Sequence, residues 1–231
     1  MGFFTDSIAS AFGLVWSLDQ EMLSIVGVSL RTSFSSVTIA SLVGIPLGFA
    51  ICLKPFVGKR FVITCLNTLL ALPTVAIGLF VYTFISRRGV FGIFDLLYSQ
   101  KAIIIGQTIL ILPLICSLTI SAVSQIDDRY RKTALTLGAN GRQAAVMIFL
   151  EARFGIVAAI IAAFGRVVSE VGISMMLGGN AKGFTRTITT AMALEYDKGE
   201  FVLALALGIV LIALSFAVNA LFHFFQGRGK R

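Results

Sequence analysis

The sequence predicts an all-α integral membrane protein with about five transmembrane helices. Of its 231 residues, 57% are hydrophobic and 13% are charged, and its mean hydropathy is +0.95. Soluble domains carry about 25% charged residues, so a chain this poor in charge would expose large apolar patches in water. Lipid accepts such a composition. These observations exclude a soluble enzyme and predict one membrane domain over residues 21–226.

Five apolar runs are long enough to cross a bilayer, which requires about 20 helical residues. Before them, residues 1–20 place Phe4, Ile8, Phe12 and Trp16 at helical spacing among polar residues. This pattern predicts an amphipathic helix in the membrane interface, with a frayed terminus as the alternative. The predicted spans cover residues 22–53, 61–85, 102–123, 146–173 and 201–225.

The first span carries a proline and two glycines. Pro46 predicts a kink, and Gly44 and Gly48 permit close contact with another helix. The first half of the span is rich in serine and threonine, whose hydroxyls can bond to the carbonyl four residues earlier. The second and third spans each carry a proline at mid-depth. The connection over residues 174–200 is too polar to span, and its glycines predict a break or turn.

The distribution of lysine and arginine predicts the orientation of the chain, because these residues favour the cytoplasmic side. One set of span ends, which includes the 127–142 loop and the basic tail over residues 227–231, carries ten of them, and the other set carries six. We therefore expect the C-terminus in the cytoplasm. With five spans, the N-terminus lies outside.

The segment over residues 127–147, which we call the knob, is long and charged. Asp127 predicts a helix start, and Gly138 predicts a turn before the next apolar helix re-enters the membrane. Ala134, Leu135 and Leu137 lie among basic residues and favour docking into a groove on a partner protein. An ordinary solvated loop with a positive charge bias is the alternative.

The knob carries a family resemblance. Lys132-Thr133-Ala134, with Gly138 four residues after Ala134, resembles the "EAA…G" cytoplasmic loop of ABC-importer permeases. Two departures are Lys132 and Thr133 in place of the first Glu and Ala, and a third is the missing proline near Glu151. The positions that match the loop pattern are Ala134, Leu137, Gly138, Ala139, Ile148 and Leu150.

The downstream sequence extends the resemblance over residues 22–225. The order of its motifs looks like that of permeases for molybdate and tungstate, where a helix ending in "R…E-x-G" precedes "GN…G-x-T-x-T". The residues within these motifs are most similar to those of tungstate-type permeases. The segments that carry this likeness are Gly165-Arg166-Val167-Val168-Ser169-Glu170-Val171-Gly172, Gly178-Gly179-Asn180 and Thr185-Arg186-Thr187-Ile188-Thr189-Thr190-Ala191.

The resemblance implies the permease subunit of an ABC type I importer in a prokaryotic cell membrane. Two permease copies would form the path, cytoplasmic ATPase subunits would dock on the knob, and an extracytoplasmic protein would deliver the oxyanion. The sequence has no phosphate-binding loop, so we expect no cofactor in this chain, and ATP-Mg in the partner ATPase. The expected ATPase-coupling residues are Arg131, Lys132, Thr133, Ala134, Leu135, Leu137, Gly138 and Ala139.

Arg166 and Glu170 lie one helical turn apart within the fourth predicted span. Intramembrane charge favours a functional site, and an arginine facing the path would attract a divalent oxyanion. The alternative is a structural ion pair. Arg31 can instead snorkel to the outer interface. The expected pathway residues, of which the last four could equally be turn and cap residues, are Arg166, Ser169, Glu170, Asn180, Thr185, Arg186 and Thr187.

Other function classes are less consistent with the sequence. The three cysteines lie in apolar runs, and one histidine supplies too few ligands for a metal site. No basic run with interleaved aromatics indicates nucleic-acid binding. A secondary transporter or channel would need no ATPase, and an intramembrane enzyme would need convergent catalytic side chains. Molybdate, sulfate or another oxyanion remains an alternative to tungstate, because the permease sequence does not separate near-identical dianions.

Overall fold

The computed structural model describes Gly13, Trp16 and residues 20–228, and this part of the chain is helical without strands. Most of the predicted interfacial helix over residues 1–20 and the end of the basic tail lie outside the described residues. The helices are α1 (Gln20–Leu53), α2 (Lys59–Leu69), α3 (Thr74–Ile85), α4 (Gln100–Ser124), α5 (Asp128–Thr136), α6 (Gly141–Val168), α7 (Gly172–Gly178), α8 (Ile188–Asp197) and α9 (Phe201–Arg228).

The prediction of about five spans is confirmed, with one change in form. The helices α1, α4, α6 and α9 are each long and apolar enough to cross a membrane. The predicted second span is instead two helices, α2 and α3, bent by 98° at a short break. Pro73 precedes α3 with φ −62° and ψ 131°, and a proline has no N–H to continue the preceding helix. The predicted second span over residues 61–85 is therefore broken next to Pro73.

The predicted fourth span also ends early. The sequence predicts a helix to residue 173, but α6 ends at Val168, and the short helix α7 begins at Gly172. Ser169 caps α6 with φ −89° and ψ 2°. The prediction that the connection after this span breaks and turns is confirmed, since it holds α7, a turn and α8.

The long helices define two ends of the bundle. The end of α4 and the start of α6 flank the knob, and Leu53 at the end of α1 packs nearby. We call this the knob end. At the opposite end, the Tyr98 N–H donates to Leu177 O over 2.8 Å, and the Gln100 amide donates to Phe184 O over 2.6 Å. The α3–α4 loop and the α7–α8 loop therefore meet at the opposite end.

The predicted close contact of the first span is made with α4. A Cβ added at Gly48 would lie 2.7 Å from the Cys116 carbonyl oxygen, and one at Gly44 would lie 3.0 Å from Ile115. The Cys116 thiol also donates to Gly44 O over 3.3 Å. Only glycine lets the two backbones approach this closely, so the role predicted for Gly44 and Gly48 is confirmed.

Buried polar groups join α1, α4 and α7. The Ser36 hydroxyl donates to Gln107 Oε1 over 3.0 Å, and the Gln107 amide donates to Ser174 Oγ over 3.4 Å. The Thr32 hydroxyl bonds to Val28 O, as the serine- and threonine-rich half of the span predicts. These bonds satisfy polar groups that lipid could not.

The main apolar core lies between α1, α3, α4, α6 and α7, and a second cluster joins the start of α1 to α8 and α9. By contrast, α2 buries no residue. Large hydrophobic side chains such as Phe34, Leu42 and Phe216 are exposed. Lipid is the solvent that suits such a surface.

Candidate functional site: the knob and the charged opposite end

The knob begins as a capped helix. The Asp127 carboxylate accepts a hydrogen bond from the Arg129 N–H over 2.9 Å, which satisfies one of the free donors at the start of α5. The helix packs on α6 through Ala134, which is buried. The predicted cap and short helix are confirmed.

Gly138 ends α5 in a left-handed turn. Its φ is +89°, a conformation that favours glycine. The Ala139 N–H donates to Ala134 O over 3.0 Å, and the Gly138 N–H donates to Leu135 O over 3.1 Å. Asn140 then starts α6 with a capping box to Gln143, at 2.8 and 2.9 Å. The chain therefore reverses in a few residues that are hydrogen-bonded at both sides of the turn.

The exposed surface of the knob mixes apolar and basic side chains. Leu137 is 83% exposed and Leu135 is 45% exposed, while Arg131, Lys132 and Thr133 are exposed beside them. Contact with lipid is unfavourable for the charged basic side chains, and contact with water is unfavourable for the apolar side chain of Leu137. A mixed surface of this kind is typical of a protein contact.

Arg166 and Glu170 form an ion pair at the opposite end of α6. Arg166 Nη1 lies 2.7 Å from Glu170 Oε2, with side-chain exposures of 42% and 3%. Glu170 lies just beyond the helix and not within it, but the cap at Ser169 keeps the one-turn spacing. The Glu170 carboxylate also accepts from the Ile173 N–H at the start of α7. Glu170 is thus a buried support for α7, while Arg166 remains half exposed.

The α7–α8 loop holds the other predicted pathway residues. Asn180 has φ +51°, and its amide donates to Thr190 O over 3.3 Å. Thr185 is fully buried, where its hydroxyl donates to Gly178 O over 2.6 Å and accepts from the Ala181 N–H. The hydroxyl of Thr185 is therefore used inside the loop. A pathway role for Asn180 and Thr185 stays a prediction.

Thr187 connects this loop to neighbouring elements. Thr187 begins α8 with a capping box to Thr190, and its hydroxyl lies 3.2 Å from that of Thr189, which donates to Glu170 O over 2.8 Å. The structure thus brings Thr187 close to Glu170. Ser169 is exposed beside the pair, and its hydroxyl bonds back to Gly165 O.

Sequence reasoning missed two polar residues at this end. Glu21 contacts Lys182 and Arg186 across 161 and more positions, and Gln107 lies 1% exposed between α1 and α7. The sequence did contain a signal for Gln107, because an amide side chain inside an apolar span indicates a buried polar contact. A carboxylate at the start of a span is common, so nothing in the sequence pairs Glu21 with the α7–α8 loop.

Known proteins resemble the chain over nearly its full length. Residues 40–231 match the family described as "Binding-protein-dependent transport system inner membrane component". A "Probable anion ABC transporter permease protein" of Haloferax volcanii is 39% identical over 90% of this chain and 91% of its own. A "Tungstate uptake system permease protein TupB" of Peptoclostridium acidaminophilum is 36% identical over 98% and 99%, and one of Campylobacter jejuni is 37% identical over 94% and 91%.

Solved structures share the fold. A bacterial ABC transporter involved in the import of the acidic polysaccharide alginate has a chain that superposes with a TM-score of 0.75 at 17% identity, covering 99% of this chain and 84% of that one. An inward-facing MetNI methionine ABC transporter gives 0.72 at 18% identity, covering 90% and 96%. Family match, relatives and fold agree. The chain therefore belongs to the inner membrane components of binding-protein-dependent transport systems.

Proposed function

We propose that this chain is the membrane-spanning subunit of an ATP-driven importer that carries a tetrahedral oxyanion, in the first place tungstate, into the cell. The observation that carries the proposal is the 36% identity to a tungstate uptake permease over 98% of this chain. Molybdenum transport permeases of Escherichia coli and Haemophilus influenzae share 28% and 25% identity with this chain. Molybdate and other oxyanions are the alternative substrates.

The knob is the docking element for a cytoplasmic ATPase subunit in this proposal. Leu137 and Leu135 would enter an apolar groove, and Arg131 and Lys132 would lie at its polar rim, an arrangement common in protein interfaces. Thr133 and the turn at Gly138 would set the direction of the helix. ATP and Mg²⁺ would bind the partner ATPase, and this chain would supply translocation without catalysis.

Orientation and assembly follow from charge and exposure. The knob end is richer in lysine and arginine, which supports a cytoplasmic knob end and C-terminus and an N-terminus outside. Arg166 is 42% exposed within a membrane bundle, and a guanidinium facing lipid is costly. A second copy of the chain would cover this face as a homodimer and leave Arg166 at a water-filled path between the copies.

At that path, Arg166 would attract the incoming anion, and an extracytoplasmic binding protein would deliver it. Glu170 would neutralise the guanidinium when no anion is present, since the two side chains are 2.7 Å apart. The pair would thus offer a weak, reversible site, as conduction requires. The alternative, a purely structural pair, is supported by the bond from the Ile173 N–H to Glu170.

Reconstitution of the complex in liposomes tests the proposal. With the binding protein outside and ATP inside, we expect tungstate uptake that stops when the ATPase is inactivated or omitted. Molybdate and sulfate added in excess then rank the competing ions. Uptake that continues without the ATPase subunit would overturn the proposal in favour of a secondary transporter or channel.

A further inference from the structure

Three charged side chains meet at the opposite end of the bundle. Lys182 Nζ lies 2.7 Å from Glu21 Oε2, and Arg186 Nη1 lies 3.5 Å from Glu21 Oε1. Each oxygen of one carboxylate therefore faces a different cation. The carboxylate comes from the first turn of α1, and both cations come from the α7–α8 loop.

Arg186 is the buried member of this group, with its side chain 12% exposed. Its Nε is buried and finds no hydrogen-bond acceptor among the described residues. A guanidinium carries five N–H donors in a plane, which suits two oxygens of one anion. A buried donor without an acceptor costs free energy, so Arg186 is placed to bind more oxygen atoms than Glu21 supplies.

The ion pairs are not needed to fasten α1 at this position. Met22 and Ile25 already pack against Ile188 and Ala191 in an apolar cluster. The Ser29 hydroxyl also accepts a hydrogen bond from the Ile188 N–H over 2.7 Å. Because Glu21 and Lys182 are 39% and 67% exposed, their pairing adds little to stability. Glu21, Lys182 and Arg186 therefore contribute little to the attachment of α1, which leaves them available for another role.

From this geometry we infer that Lys182 and Arg186 form an oxyanion-binding site, and that Glu21 is its resident anion until the transported ion displaces it. The inference rests on the proposed function. A tetrahedral dianion brings two charges and four oxygens, against one charge and two oxygens for Glu21. It can accept from Lys182 Nζ, Arg186 Nη1 and the unpaired Arg186 Nε together. Return of Glu21 then releases the ion, so the site does not retain it.

Equilibrium dialysis with radioactive tungstate tests this site on the purified permease–ATPase complex in nanodiscs, without binding protein. Glu21→Gln removes the competing carboxylate, and we expect tungstate to bind about two- to fivefold more tightly. Lys182→Gln removes a ligand, and we expect weaker binding by a similar factor. A merely structural clasp predicts the same direction for both variants, because each breaks the same ion pair. Changes in one direction, or none, would overturn the inference.

Asp95→Asn is the matched control. It breaks an exposed ion pair with Arg87 at the same end of the bundle, with the atoms 3.5 Å apart, and leaves the site intact. We expect unchanged tungstate binding, and a gain equal to that of Glu21→Gln would overturn the inference as a general charge effect. Thermal unfolding checks that each variant is folded. If the wild-type complex imports tungstate but Glu21→Gln binds it no better, this inference fails while the proposed function stands.

Discussion

Gly138 offers a sharp test of the knob, because its role depends on backbone conformation alone. A Cβ at this position would meet no atom within 4 Å, but φ is +89°. Gly138→Ala therefore adds no steric contact and forces an L-residue into the left-handed region, at a cost of about 1–2 kcal/mol. That free energy corresponds to a factor of about 5–30 in the ratio of the observed turn to other backbone conformations.

If the ATPase binds only this turn, its apparent Kd for the permease should rise in proportion to the lost fraction of this turn, by up to about 5–30-fold. The assay titrates the purified ATPase onto nanodisc-embedded permease and measures binding. ATP-dependent tungstate uptake is then measured in liposomes at subsaturating ATPase. We expect both to fall together. The hydrogen bonds from Ala139 to Ala134 O and from Gly138 to Leu135 O should weaken, which faster amide exchange would report.

Two other glycines separate the backbone effect from the docking effect. Gly141 faces open space and has no positive φ, so Gly141→Ala should change little. Gly183 also faces open space but has φ +73° at the opposite end, so Gly183→Ala should cost similar stability and leave ATPase affinity unchanged. Unchanged ATPase affinity in Gly138→Ala, or an equal loss in Gly183→Ala, would refute the reasoning.

Further predictions concern packing and buried charge, and thermal unfolding in detergent checks each of them. Gly48→Ala should destabilise the fold by about 1–3 kcal/mol because its Cβ meets a carbonyl oxygen of α4; Gly27→Ala, in open space, is the control and should not. Arg166→Ala should cost about 3 kcal/mol by leaving the buried Glu170 carboxylate without its cation, and adding Glu170→Gln should restore part of the melting temperature; no recovery would show that the lost cation is not the cause. Gln107→Leu should cost about 1–2 kcal/mol by removing its two side-chain hydrogen bonds, and full stability would argue that those bonds contribute nothing.

Much of the fold could be predicted because hydropathy, and the residues that start or end a helix, depend only on neighbouring positions in the sequence. The long apolar runs gave the spans, and the acidic cap and Gly138 marked the knob, since capping and left-handed φ depend on a few adjacent residues. The spacing of Arg166 and Glu170 gave their ion pair even though the helix ends between them. The cap at Ser169 has φ and ψ close enough to helical values to keep the two side chains one turn apart.

The features that could not be predicted depend on the direction of helix axes and on contacts between residues far apart in the sequence. Hydropathy counts apolar residues but not the direction of the helix axis, so the 98° bend between α2 and α3 was missed. Glu21 and Lys182 are separated by 161 positions, and only the packed bundle brings them together. The sequence shows Thr185 as a polar loop residue. In the structure its hydroxyl is hydrogen-bonded within the turn, which composition alone does not reveal.

The uninterrupted course of α6 has a mechanical consequence. Its 28 residues run from the turn of the knob to the residues beside the ion pair of Arg166 with Glu170, a length of about 42 Å. Such a rod works as a lever. Pivoting about its middle, a tilt of about 5° moves each end by about 1.8 Å, and Arg166 and Glu170 move with that end as one unit. If α8 stays in place, the same movement stretches the 2.8 Å hydrogen bond from the Thr189 hydroxyl to Glu170 O beyond hydrogen-bonding range. A displacement too small to unfold any helix at the knob can therefore break a contact between α6 and α8 at the opposite end of the bundle.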